Sequence, residues 1–73
     1  MDIIFSRHAR RQMKWRKITE QDVKSVIDDP DKVVDTIKDR KNAFKIIDAR
    51  NLKITYKQED ERLTIITAMV KGK

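Results

Sequence analysis

Seventy-three residues carrying 18 Lys and Arg, 12 Asp and Glu, one His and no Cys define one small basic domain spanning residues 1–73. Without cysteine there is no disulfide staple, no thiol nucleophile and no cysteine-held zinc or iron–sulfur centre. No apolar run approaches the roughly 20 residues of a membrane span. Met1-Asp2-Ile3-Ile4-Phe5 is too short for a signal peptide and runs straight into arginines, so the expected location is cytoplasmic.

The formal net charge of +6 is unevenly placed. Residues 1–17 hold Arg7, Arg10, Arg11, Lys14, Arg16 and Lys17 against Asp2, whereas the remainder holds twelve basic and eleven acidic side chains. A cluster of this kind fits two readings: a polyanionic or acidic partner, or a plain solvated helix face.

In chain order, Asp2-Ile3-Ile4-Phe5 is apolar and β-branched and predicts a short strand or an extended lead-in. Ser6 is an N-cap candidate for a helix from about Arg7 to Arg16, with Ala9 and Met13 on a thin apolar stripe and Arg7, Arg11 and Lys14 on another face. Trp15 is read as the anchor of this helix. Arg16-Lys17-Ile18-Thr19 is a tight connection in which Lys17 occupies a position that favours glycine. Thr19 caps a second helix, with Ile18 and Val23 spaced as a hydrophobic staple and Asp22 where a capping box prefers Glu or Gln. Val23, Val26 and Ile27 form its apolar stripe, and Pro30 stops it.

From Asp31 the period changes from helical to strand-like. Lys32–Ile37 predicts a strand, Lys38–Asn42 a charged turn, Phe44–Ala49 a strand and Arg50-Asn51 a hairpin tip. Leu52–Lys57 alternates cleanly, which sends Leu52, Ile54 and Tyr56 to the core and Lys53, Thr55 and Lys57 to solvent, with Lys45 expected beside them. Gln58–Arg62 is a polar turn, and Leu63–Val70 is a central strand apolar on both faces. The expected fold is α+β, order (β)ααββββ, with two N-terminal helices on one face of a mainly antiparallel sheet of about four strands.

Chemistry-bearing motifs are few. His8 has no second His or Cys to share a metal and reads as a hydrogen-bonding residue beside the apolar stripe. Asp28-Asp29 and Asp31 are interrupted by Pro30 and lack the glycine and bidentate Glu of a calcium loop. The single glycine, Gly72, rules out a glycine-rich phosphate loop. No metal and no cofactor is therefore expected. What remains is basic and aromatic: Arg7, Arg10, Arg11 and Lys14 on the helix, with Lys45, Lys53 and Lys57 on the sheet, form a candidate RNA-binding set. Trp15 or Tyr56 stacking on a base is the alternative to their core placement.

The order of motifs resembles known families. His8-Ala9, Met13, Arg16, Ile18-Thr19-Glu20-Gln21-Asp22-Val23 and Asp28-Asp29-Pro30 resemble the "HA…RM…RGIS-EEDV…NP" opening of small uncharacterised domains. Ile18 to Pro30 and Leu63-Thr64-Ile65-Ile66-Thr67-Ala68 are similar to the "GVS-FEEA…FDDP" and "IRIISAR" runs of the BrnT-like branch of the RelE-like toxins. Lys17 stands where the turn usually has Gly, and Met69 where that last strand has Arg. The resemblance implies a RelE-like fold and metal-independent mRNA cleavage, on or off the ribosome, neutralised by an antitoxin. Arg40, Arg50 and Arg62 are the nearest matches to the basic residues that carry this cleavage, and are the candidate catalytic residues. The alternative expectation is a non-catalytic protein-interaction module that uses the basic helix or a sheet edge.

Overall fold

The computed structural model describes residues 2–36 and 39–71. Ile37, expected to end a strand, Lys38, expected to open a turn, and the tail residues Gly72 and Lys73 lie outside them. The elements are β1 (Asp2–Phe5), α1 (Arg7–Arg16), α2 (Glu20–Asp28), β2 (Lys32–Asp35), β3 (Arg40–Ile47), β4 (Arg50–Glu59) and β5 (Arg62–Val70). They form an α+β domain with one sheet of order β1-β5-β4-β3-β2. The four C-terminal strands run antiparallel as expected, but the lead-in is a fifth strand, parallel to β5, so the sheet is mixed. Ile3 and Phe5 pack against the core from β1, and Ser6 N–H continues the ladder to Ile65 O at 3.0 Å.

Both helices begin at side-chain caps. Ser6 Oγ accepts from Ala9 N–H at 3.0 Å and donates to Ile66 O at 3.1 Å, so one hydroxyl caps α1 and satisfies a β5 carbonyl. At α2 the capping box is complete despite the shorter acid: Asp22 N–H donates to Thr19 Oγ1 at 3.0 Å, and Asp22 Oδ2 accepts from Thr19 N–H at 3.1 Å. Lys17 takes the left-handed conformation (φ 56°, ψ 45°) that ends α1.

Arg50 completes this corner. Its Nη1 donates to the carbonyls of Arg16 (2.9 Å) and Lys17 (3.2 Å), two acceptors left without helical partners, and its Nη2 lies 3.4 Å from Asp22 Oδ2. One guanidinium thus ties the end of α1, the start of α2 and the start of β4.

The core lies between the helix layer and one sheet face: Ala9, Met13, Ile18, Val23 and Val26 against Ala43, Leu52, Ile54, Leu63, Ile65 and Ala68. Along β5 a register shift opposes Thr55 to Thr67 but Tyr56 to Ile65, which leaves Ile66 as the extra residue of a bulge. The bulge moves the core positions of β5 from Leu63 and Ile65 to Ala68, which is why the strand reads apolar on both faces. Gln12 on α1 takes up the next free amide, accepting from Ala68 N–H at 3.1 Å.

Three sequence expectations change here. Trp15 is no anchor: it is 69 % exposed, because Ala9 and Met13 turn the buried stripe of α1 away from it. The hairpin tip is Asp48-Ala49 rather than Arg50-Asn51, with φ of 52° and 67° as a two-residue primed turn requires. Arg40, Lys41 and Asn42 belong to β3, and Gln58, Glu59 and Arg62 to β4 and β5, so both charged turns are shorter than their composition suggests.

Two stability outcomes follow. Ala49→Gly removes a Cβ from a left-handed position and should stabilise the domain by about 1 kcal/mol, part of the gain being returned through a freer unfolded chain. Arg50→Met should destabilise it by about 1–2 kcal/mol, by leaving the part-buried Arg16 carbonyl without its donor and Asp22 with Thr19 N–H alone. Urea midpoints at constant m-value measure both.

Candidate functional site

The sheet has two unlike faces. Pairing across the two-residue tip sets Lys45 opposite Leu52 and Phe44 opposite Lys53. Leu52 is buried under the helices, so Lys45 lies on the helix side and Phe44 on the other. This corrects the expected place of Lys45. Its ammonium donates to Asp29 O at 2.9 Å and lies 3.6 Å from Asp29 Oδ2 and 3.8 Å from Asp31 Oδ1, which ties β3 to the end of α2.

The face away from the helices carries Lys32 and Val34 from β2, Arg40, Asn42, Phe44 and Ile46 from β3, and Asn51, Lys53, Thr55 and Lys57 from β4. Thr64, Thr67 and Met69 extend it onto β5, and Ile4 onto β1. Lys53 is flanked by Phe44 and Met69, Thr55 by Asn42 and Thr67, and Lys57 by Arg40 and Thr64. Thr55 Oγ1 donates to Asn42 Oδ1 at 2.6 Å, which holds the middle of the face rigid.

Arg40 and Lys57 are directly cross-strand, an arrangement of like charges that weakens a sheet. Lys57 is partly offset by Glu59 Oε2 at 3.4 Å, whereas Lys53 has no acidic partner among the described residues. Phe44 is half-buried between Lys32 and Lys53 in neighbouring strands, and Lys71 Nζ lies 5.2 Å from its ring centroid. A cavity of about 260 Å³ opens beside it, where Phe44, Ile46 and Asn51 meet Lys32, Lys45 and Lys71 together with one acid, Asp31. An aromatic ring among cations on an uncovered sheet is equipped to stack a base and neutralise phosphate.

The three candidate catalytic arginines do not converge. Arg40 is exposed on this face beside Lys57. Arg62 opens β5 across from Glu59 and Asp2, in a cavity of about 460 Å³ that also includes Asp60 and Glu61, so its surroundings are acidic. Arg50 lies at the far end of β4, seven residues from Lys57 and therefore about 23 Å along the strand. It also points to the helix side, with its donors engaged by α1 and α2.

The helix residues of the candidate set are exposed: Arg7, Arg10, Arg11 and Lys14. Arg10 is committed within the fold, 3.3 Å from Glu20 Oε2 and 5.2 Å over the Phe5 ring. His8 is exposed rather than tucked beside the apolar stripe. Among the described residues no three His, Asp or Glu side chains gather as metal ligands, and no helix is long and apolar enough to cross a membrane.

Sequence reasoning missed Phe44, taken only as part of a strand, and the structural use of Arg50. The first was recoverable, since a two-residue hairpin pairs even-numbered residues of one strand with odd-numbered residues of the next. The second had no local signal, because its partners lie 28 to 34 residues away.

The chain is a small α+β domain, a two-helix layer on a mixed five-stranded sheet whose other face is basic and uncovered. Over residues 5–70 it matches the family described as a domain of unknown function, DUF4258, and it belongs to that family. Neither a curated protein nor a solved structure matches it.

Lys45 and Lys53 should now behave differently on substitution. Lys45→Ala loses the bond to the Asp29 carbonyl and should lower stability by about 0.5–1.5 kcal/mol. Lys53→Ala, without a partner, should stay within about 0.5 kcal/mol of the wild type in thermal unfolding.

Proposed function

We propose that this protein binds single-stranded RNA across the uncovered sheet face, as a RelE-like protein of the toxin type. The observation that carries the reading is the half-buried Phe44 ring among Lys32, Lys53 and Lys71, beside the opposed pair Arg40 and Lys57. Stacking on the ring is tolerant of base identity, and the cations track the backbone. The choice of RNA rests on the family resemblance. The sharper form of the reading is metal-independent endoribonuclease activity neutralised by an antitoxin. Of the three arginines, Arg40 is the one placed to stabilise charge on a phosphate held at this face, with Lys57 beside it. Arg50 serves the fold, and Arg62 sits among acids.

A second reading has its own observation. β2 is an edge strand of four exposed residues, and Val33 and Val34 are 44 % and 38 % exposed. A protein partner, such as an antitoxin segment, would add a strand there. That interaction alone expects no salt-sensitive RNA affinity, and loss of the complex on Val33→Lys.

Anisotropy of a labelled mixed-sequence single-stranded RNA, with EDTA present and across a salt series, tests the first reading. The variant with Arg40, Lys53 and Lys57 all changed to Ala should lose about 2 units of log–log salt slope, and Phe44→Leu should weaken binding about tenfold. An unchanged slope in the triple variant overturns the assignment of the sheet face. RNA cleavage in EDTA that disappears in Arg40→Ala supports the nuclease form, and intact RNA with the wild type removes it.

A further inference from the structure

Trp15 is 69 % exposed, and it is the one tryptophan of the chain. The helix that carries it has no acid in its first turn, and Arg7, Arg10 and Arg11 lie near its N-terminus, where the dipole disfavours cations. Arg10 is accounted for by Glu20 and Phe5. Arg7, His8, Arg11 and Lys14 remain exposed and have no ion-pair partner among the described residues. Neither the ring nor these charges contribute to packing, and both would be better placed against a polyanion that also offers a flat apolar surface.

The helical spacing aligns them. Arg7, Arg11 and Lys14 follow one line at separations of four and three residues, and Trp15 stands one turn beyond Arg11. From Arg7 to Trp15 the axial distance is about 12 Å, the rise of three to four stacked nucleotides. An acidic peptide would satisfy the cations, but would cover the indole only with an apolar side chain at one matching position. A nucleic acid strand supplies both groups at every nucleotide, because each has a phosphate and each base a π-face.

We propose that the outer face of α1 is a second single-stranded nucleic-acid site, in which Trp15 stacks on a base while Arg7, Arg11 and Lys14 take phosphates. It lies on the opposite side of the domain from the uncovered sheet face, since α1 packs on the other face of the sheet through Ala9 and Met13. The roughly three or four nucleotides that α1 spans stay on that face, so the sheet face takes a second strand, or a second segment of the same RNA. The assignment stands independently of the sheet reading.

Because Trp15 is the sole tryptophan, its emission reports this face alone. A mixed-sequence 10-nucleotide single-stranded RNA is titrated into the full chain, following both emission and label anisotropy. Trp15 emission should be quenched to the same degree in the wild type and in the triple sheet variant, with two oligonucleotides bound per wild-type chain. Trp15→Ala should weaken binding to the triple variant about tenfold with an unchanged unfolding midpoint. Binding by anisotropy with unaltered emission overturns this site and leaves the sheet reading standing. Quenching that vanishes in the triple variant also overturns it, by making the two surfaces one site. Equal quenching by a polyglutamate peptide of matched charge overturns it in favour of an acidic protein partner, and no binding by either readout removes both RNA readings.

Discussion

The guanidinium of Arg50 sits where α1 ends, α2 begins and β4 starts, and the helix layer depends on it. The buried stripe of α1 holds only Ala9 and Met13, so apolar contact alone fixes the helix weakly on the sheet. The turn that follows uses Lys17 in a left-handed conformation without help from glycine. The carbonyls of Arg16 and Lys17 then face away from any helical donor, and Arg50 reaches them from the sheet. Asp22 links the two halves of the corner, since the same oxygen closes the α2 capping box and pairs with Arg50. A partly shielded carboxylate serving both donors makes the corner one cooperative unit.

The cations of this chain divide by what they do for the fold. Arg10, Lys45 and Arg50 each bind an acid or a carbonyl on another element. Arg7, Arg11 and Lys14 on α1 and Lys53 on the sheet bind none among the described residues, and neither do Arg16, Lys17, Lys24, Lys32, Arg40, Lys41, Arg62 and Lys71. Of these, Arg7, Arg11 and Lys14 share the outer face of α1 with Trp15, and Lys32, Arg40 and Lys53 share the uncovered sheet face with Phe44.

Much of the architecture was legible where local chemistry decides it. Ser6, Thr19 and Pro30 marked helix boundaries because caps and proline act within a turn of their own position. The alternation of Leu52, Ile54 and Tyr56 gave the core side of β4 for the same reason. The hairpin tip was not legible, because Asp48-Ala49 lacks the glycine or asparagine that announces a primed turn, while the neighbouring Asn51 offers a false one. Trp15 misled because a large apolar ring is ordinarily core, and its exposure depends on which way Ala9 turns the helix. The candidate site was legible in part: Lys53 and Lys57 were placed by alternation and Lys45 could have been placed by the hairpin pairing, whereas Arg50 was claimed by partners distant in sequence. Long-range capture of a charged side chain leaves no trace in a local pattern.

The parallel pairing of β1 with β5 joins the first described strand to the last, and the Ser6 hydroxyl reaches Ile66 across 60 residues. That contact needs the chain through β5 to have been made. The β2–β3–β4 meander can assemble from near neighbours, but its completion by β5, and the seating of β1 and α1 on β5, wait for the final strand. Such non-local closure makes for slow, late folding. During synthesis the nascent chain would leave the ribosome with its basic first helix already exposed and its core still unmade. Release of the last strand from the exit tunnel is then the event that commits the domain to its native state.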